Sequence, residues 1–72
     1  MTNIIKSNAR EILRDEIDSR GIKYSWVAKR MGYSYQQKLT NVLNGRDKFT
    51  GDVAIRASKA LGVPLEIFLV KS

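Results

Sequence analysis

The chain has 72 residues, 13 lysines and arginines against 7 aspartates and glutamates, no cysteine and no histidine. A domain of this size buries only about 60% of the surface its unfolded chain exposes, and without cysteine neither a disulfide nor a thiolate metal site can reinforce it. The missing histidine removes the commonest general base and the commonest metal ligand together, so composition argues against an enzyme, a metal centre or a cofactor.

Charge is unevenly spread. Residues 1–18 hold three bases (Lys6, Arg10, Arg14) and four acids (Glu11, Asp15, Glu16, Asp18), while the other ten bases and three acids fall in residues 19–72. A molecule near neutrality at one end and basic over the rest attracts polyanions. No apolar run approaches the roughly 20 residues of a membrane span, and Met1–Lys6 does not read as a signal peptide. A single cytoplasmic domain is expected, with no membrane partner.

The first predicted element is a helix over Asn8–Arg20. Asn8 and Glu11 have capping-box spacing, and Ile5, Ala9, Ile12, Leu13 and Ile17 recur every three or four residues as one apolar stripe. Arg20-Gly21 provides the stop. A second helix of roughly two turns, Tyr24–Met31, ends at Gly32 with Val27, Ala28 and Met31 inward. The third runs from about Tyr35 to Asn44 before Gly45, with Ser34 and Gln37 again at capping-box spacing and Leu39, Val42 and Leu43 on its inner face. The fourth begins after Thr50, a good N-cap helped by Asp52 at the positive helix end, and runs to Leu61 before Gly62. The last spans Pro64 to about Val70, with proline in its first turn. No strand is expected. The fold class is all-α, a compact five-helix domain, with no room for a catalytic cleft or a small-molecule substrate.

The third helix carries the functional signal. With Leu39, Val42 and Leu43 inward, Gln37, Thr40, Asn41 and Asn44 project outward and Gln36 and Lys38 flank them. Asparagine and threonine are poor helix formers, and the face holds no acid. Glutamine and asparagine amides pair with adenine edges in the major groove, threonine meets the thymine methyl, and lysine reaches guanine or phosphate. Tyr35, just before this row, is a candidate phosphate or base contact. Trp26 is expected to be structural or partly exposed beside the turn, and Tyr33 to pack. Asp15, Glu16 and Asp18 are expected to balance Arg14 and Arg20 as ordinary helix pairs.

Two short helices joined around Gly32 have helix-turn-helix spacing. The order Val27-Ala28, Met31-Gly32, Leu39, Asn44-Gly45, Ala60-Leu61-Gly62-Val63, Leu65 and Phe68-Leu69 resembles the Cro/repressor-type helix-turn-helix family over Ile12 to Leu69. The resemblance implies a central helix-turn-helix that binds double-stranded operator DNA, usually as a symmetric homodimer on a near-palindromic site. It points to a transcriptional repressor of phage or other mobile-element type. Its base-reading positions fall on Gln36, Gln37, Lys38, Thr40 and Asn41. Its phosphate clamp at the start of the second helix falls on Tyr24, and a second contact falls on Asn44. The loop after Asn44 adds Arg46 and Lys48.

The chain departs from that pattern in three places. It has one extra residue between Gly32 and Leu39, so either the turn is longer or Ser34 caps an earlier start of the third helix. Tyr24 stands where an amide is common, so either its hydroxyl bonds a phosphate or the residue packs against Trp26 or the end of the first helix. Ile17 and Leu43 stand where members often carry an Arg and Glu pair, an exchange for packed hydrophobes that costs little. Finally, Ile67 and Val70 are left over once Leu65, Phe68 and Leu69 face inward, and they are the expected dimer surface. The competing expectation is a protein-interaction module, an antitoxin or a repressor-binding partner, that uses this apolar C-terminal segment.

Overall fold

The computed structural model describes residues 4–70. Four α-helices account for most of it: α1 (Ala9–Arg20), α2 (Tyr24–Arg30), α3 (Gln36–Asn44) and α4 (Gly51–Leu61). The radius of gyration is 11.3 Å, against about 11 Å for a compact chain of this length.

The apolar stripes read from the sequence are the ones buried. Ala9, Leu13 and Ile17 of α1 meet Val27 and Ala28 of α2, Leu39, Val42 and Leu43 of α3, and the small-residue face of α4 in one core. Met31, directly after α2, is buried with them, and so is Phe49 in the loop before α4, a residue whose loop position hides its role from any periodicity. Ile17 and Leu43 both lie in this core as an apolar pair of positions.

The helix ends follow local chemistry where that chemistry is intact. Thr50 is extended and its Oγ1 accepts the Val53 N–H at 3.4 Å, so α4 is capped as expected. The capping boxes expected at Asn8 and Ser34 are not formed. Asn8 precedes α1 with ψ 23°, and its side chain makes no capping bond; an extended backbone is what directs such a side chain back over the first turn. Tyr35, not Ser34, occupies the N-cap position of α3, so of the two alternatives for the connection after Gly32 the longer one is adopted. Gly32 is favoured by its left-handed φ of 88°, and a Cβ there would lie 2.8 Å from the Arg56 Nη1, so a side chain would also push that guanidinium aside.

The C-terminal expectation needs correction. Pro64–Val70 does not form a fifth α-helix. Leu65–Phe68 is a 3-10 turn, and Leu69–Val70 is a short strand, β2. It pairs antiparallel with a second strand, β1 (Ile4–Ile5), in the register Ile4 with Val70 and Ile5 with Leu69. The Lys6 N–H extends the ladder to the Phe68 carbonyl at 2.9 Å. The isoleucine, leucine and valine of these two segments suit a pleated ribbon, and the pairing with β1 gives their backbone groups partners that a terminal helix turn would leave open. Phe68 holds the turn in place. It is fully buried, with its ring 5.5 Å from that of Phe49.

Candidate nucleic-acid interface

α3 is seated by one buried stripe, and the rest of its circumference reaches the surface. Leu39, Val42 and Leu43 are buried, while Gln36, Gln37, Lys38 and Asn44 are exposed and Thr40 and Asn41 half-buried. All five residues expected to read bases therefore sit on one helix with at least part of each side chain at the surface. Gln37 Nε2 donates to Asn41 Oδ1 at 2.8 Å, one turn along the helix. This bond leaves the Gln37 carbonyl oxygen and the Asn41 amide NH2 without partners inside the pair.

The end of α3 is anchored from α1. Arg10 Nε donates to the Val42 carbonyl at 2.8 Å and its Nη2 to the Asp47 carbonyl at 3.1 Å. Arg14 Nη2 donates to the Leu43 carbonyl at 3.3 Å. The last four carbonyls of a helix have no intrahelical donor and carry the negative end of its dipole, and α3 has no base of its own in its last turn. Two guanidinium groups supply what it lacks. The backbone beyond then folds over the helix end, with the Arg46 and Asp47 N–H groups donating to the Asn41 carbonyl at 2.9 and 3.1 Å. The sequence left Arg10 unassigned and suggested that Arg14 balances an α1 acid, whereas among the described residues Arg14 forms no ion pair. The available signal was their spacing: Arg10 and Arg14 each follow a buried stripe residue, four apart, along one edge of the core face.

The turn between α2 and α3 is fixed from α4. Arg56 Nη1 donates to the Met31 carbonyl at 2.8 Å and its Nε to Asp52 at 2.8 Å. The same guanidinium lies 5.7 Å from the Tyr33 ring centroid, which accounts for Tyr33 as a packing residue. The Asp52 hydrogen bond raises the Arg56 pKa. Burial raises the Tyr33 pKa above its ordinary 10.0.

The expected phosphate contacts divide. Tyr35 is 67% exposed at the head of α3, and Asn44 is exposed at its end. Arg46 and Lys48 are exposed in the loop that follows, and among the described residues neither forms an ion pair. Lys38 and Lys48 border a 410 Å³ cleft between α3, this loop and the start of α4, together with Asp47 and Asp52. Lys38 Nζ is 4.0 Å from Asp47 Oδ2, so one base-reading candidate starts out beside a carboxylate. Tyr24 stands apart from the α3 row. Its hydroxyl donates to Asp18 Oδ1 at 2.7 Å, and burial together with this bond raises its pKa. The phenol is tied to an α1 carboxylate that would repel a phosphate.

At the C-terminus, Ile67 is half-buried and packs against the core. Val70 on β2 is 44% exposed. Comparison with protein-family models, with curated proteins and with solved structures finds no match for this chain.

Proposed function

We propose that the protein is a sequence-specific double-stranded DNA-binding transcriptional regulator that reads the major groove with α3, α2 and α3 forming its helix-turn-helix. One observation carries the reading: the buried Leu39, Val42 and Leu43 turn an acid-free row of amide side chains outward on a helix whose end is anchored by Arg10 and Arg14. The Gln37–Asn41 bond pre-orients the two amides. The donor and the acceptor it leaves match the N7 acceptor and N6 amino donor of an adenine edge. Asn44, Arg46 and Lys48 flank the row as phosphate contacts, which position the protein without reading sequence. Tyr24, already bonded to Asp18, is left out of that set.

The resemblance noted from the sequence adds that the regulator is a repressor of phage or mobile-element type acting as a homodimer; of the two residues expected in its interface, Val70 is exposed and Ile67 is packed against the core. Two copies of α3 then lie one DNA turn apart, roughly 34 Å, on a near-palindromic operator.

The test is selection of bound duplexes from a random pool, read at two salt concentrations. A consensus with two related half-sites, and a log affinity that falls steeply with log salt, is the expected result. Recovery of no consensus, or of duplexes whose affinity ignores salt, overturns the proposal.

A further inference from the structure

α2 has two exposed flanks, and only one faces the reading helix. Ser25 and Lys29 border a cleft shared with the turn and the first residue of α3. Trp26 and Arg30, each one residue on, lie about 100° further round the helix. There Trp26, 48% exposed, forms with Ile22, Ala60, Leu61 and Arg20 an apolar cleft of about 160 Å³ that shares no residue with α3. An apolar cavity of about 150 Å³ holds a benzene ring, so the space suits one aromatic or leucine side chain.

The rim of this cleft is basic. The Arg30 guanidinium lies 5.1 Å from the Trp26 ring centroid, a cation–π contact that fixes the indole at the surface. Arg20 lines the cleft itself, and Lys23 and Lys59, the chain neighbours of the lining residues Ile22 and Ala60, are exposed. Among the described residues neither they nor Arg30 forms an ion pair, and only Arg20 is matched, by Glu16 at 3.2 Å. A half-open tryptophan and an arginine around an apolar pocket are the composition of a binding hot spot, and a cationic rim selects an anionic partner.

We infer that this cleft docks an acidic segment of another protein through one bulky apolar anchor. The inference stands independently of what α3 reads. The flank lies away from α3, so a protein partner and a duplex can be held at once.

The experiment selects short random peptides on the full chain and follows binding through Trp26, the sole tryptophan. Enriched peptides should join an aromatic residue or leucine to aspartates and glutamates and change Trp26 emission saturably. By calorimetry, Trp26→Ala and Arg30→Glu should each weaken them about tenfold or more. Arg30 is exposed, so Arg30→Glu keeps the test open if Trp26→Ala does not fold. Selection that enriches nothing, peptides without acids, or binding that survives both substitutions overturns the inference. So does a Trp26 emission that shifts when the protein alone is concentrated, which would make a second copy the occupant. Displacement of the peptide by a short duplex would do the same for nucleic acid.

Discussion

α1 buries Ala9, Leu13 and Ile17, and α3 buries Leu39, Val42 and Leu43, so each helix is seated by a stripe of three residues. Outside the stripes they diverge. α1 carries Glu11, Asp15, Glu16 and Asp18 among its bases, and its last turn closes an i,i+4 pair from Arg20 to Glu16 at 3.2 Å. α3 carries no acid, a single lysine, and the poor helix formers Thr40, Asn41 and Asn44. The outer face of α1 is what a solvated helix uses to support itself. That of α3 has no ion pair along the helix and only the uncharged Gln37–Asn41 bond, and its C-terminal carbonyls are met by Arg10 and Arg14 of its neighbour. The proposed function assigns that difference to reading: an acid-free amide row costs α3 charged support of its own and leaves a face suited to a duplex.

The largest effect that can break this comparison comes from the stripe of α3. Leu39 is fully buried, and Leu39→Ala should cost about 2–5 kcal/mol of the roughly 4–11 kcal/mol expected for a domain of this length. Urea unfolding measures it. A cost below about 1 kcal/mol, the range of tolerated core exchanges, would mean that α3 is not seated by its stripe. Next comes Arg10→Ala, which strips donors from the Val42 and Asp47 carbonyls. Charged hydrogen bonds of this kind are worth about 1.5–3 kcal/mol. The loss should be accompanied by faster amide exchange at Arg46 and Asp47, whose N–H groups close the end of α3. Destabilisation without that local loosening would assign Arg10 to general packing.

The outer faces are separated by a paired experiment. Gln37→Ala and Asn41→Ala should each lower affinity for the selected duplex by about 1–3 kcal/mol and relax specificity at one position. Glu11→Ala on the outer face of α1 should leave duplex affinity unchanged. Stability should move by no more than about 0.5 kcal/mol for the two exposed residues, Gln37 and Glu11. Equal effects from the two helices would remove the distinction between support and reading face.

Much of this arrangement was legible before the structure. Gly21, Gly45 and Gly62 mark the ends of α1, α3 and α4, and the three- and four-residue recurrence of Leu13, Ile17, Leu39, Val42 and Leu43 assigns the inner faces, because helix stops and periodicity are local signals. The ribbon was not legible: Ile4–Ile5 and Leu69–Val70 are each two residues long, too short for a period of two to appear, and they find each other only across the whole chain. The roles of Arg10, Arg14 and Arg56 were hidden for a related reason. Each donates to a backbone carbonyl at least 25 residues away, and any carbonyl can accept, so no residue type at the far end announces the pair. Tyr24 was open from its position between a phosphate and the end of α1, and its hydroxyl goes to Asp18 there, six residues earlier.

The smallest effect sharpens the comparison most, because it concerns a charge at the edge of the reading face. Asp47 is the acid nearest Lys38, at 4.0 Å with both side chains roughly half exposed, and such a pair contributes at most about 1 kcal/mol to stability. Asp47→Asn keeps the backbone carbonyl that Arg10 uses and removes only the charge, so unfolding should be almost unchanged. Binding should respond more. With its counter-charge gone, Lys38 is available to the duplex, and one repulsive carboxylate leaves the phosphate side. Affinity should rise for every duplex sequence, and the slope of log affinity against log salt should steepen by about one phosphate contact. If affinity instead rises for the selected sequence alone, Lys38 reads a base and not the backbone. If affinity falls, Asp47 orders Lys38 for binding and the carboxylate belongs to the site.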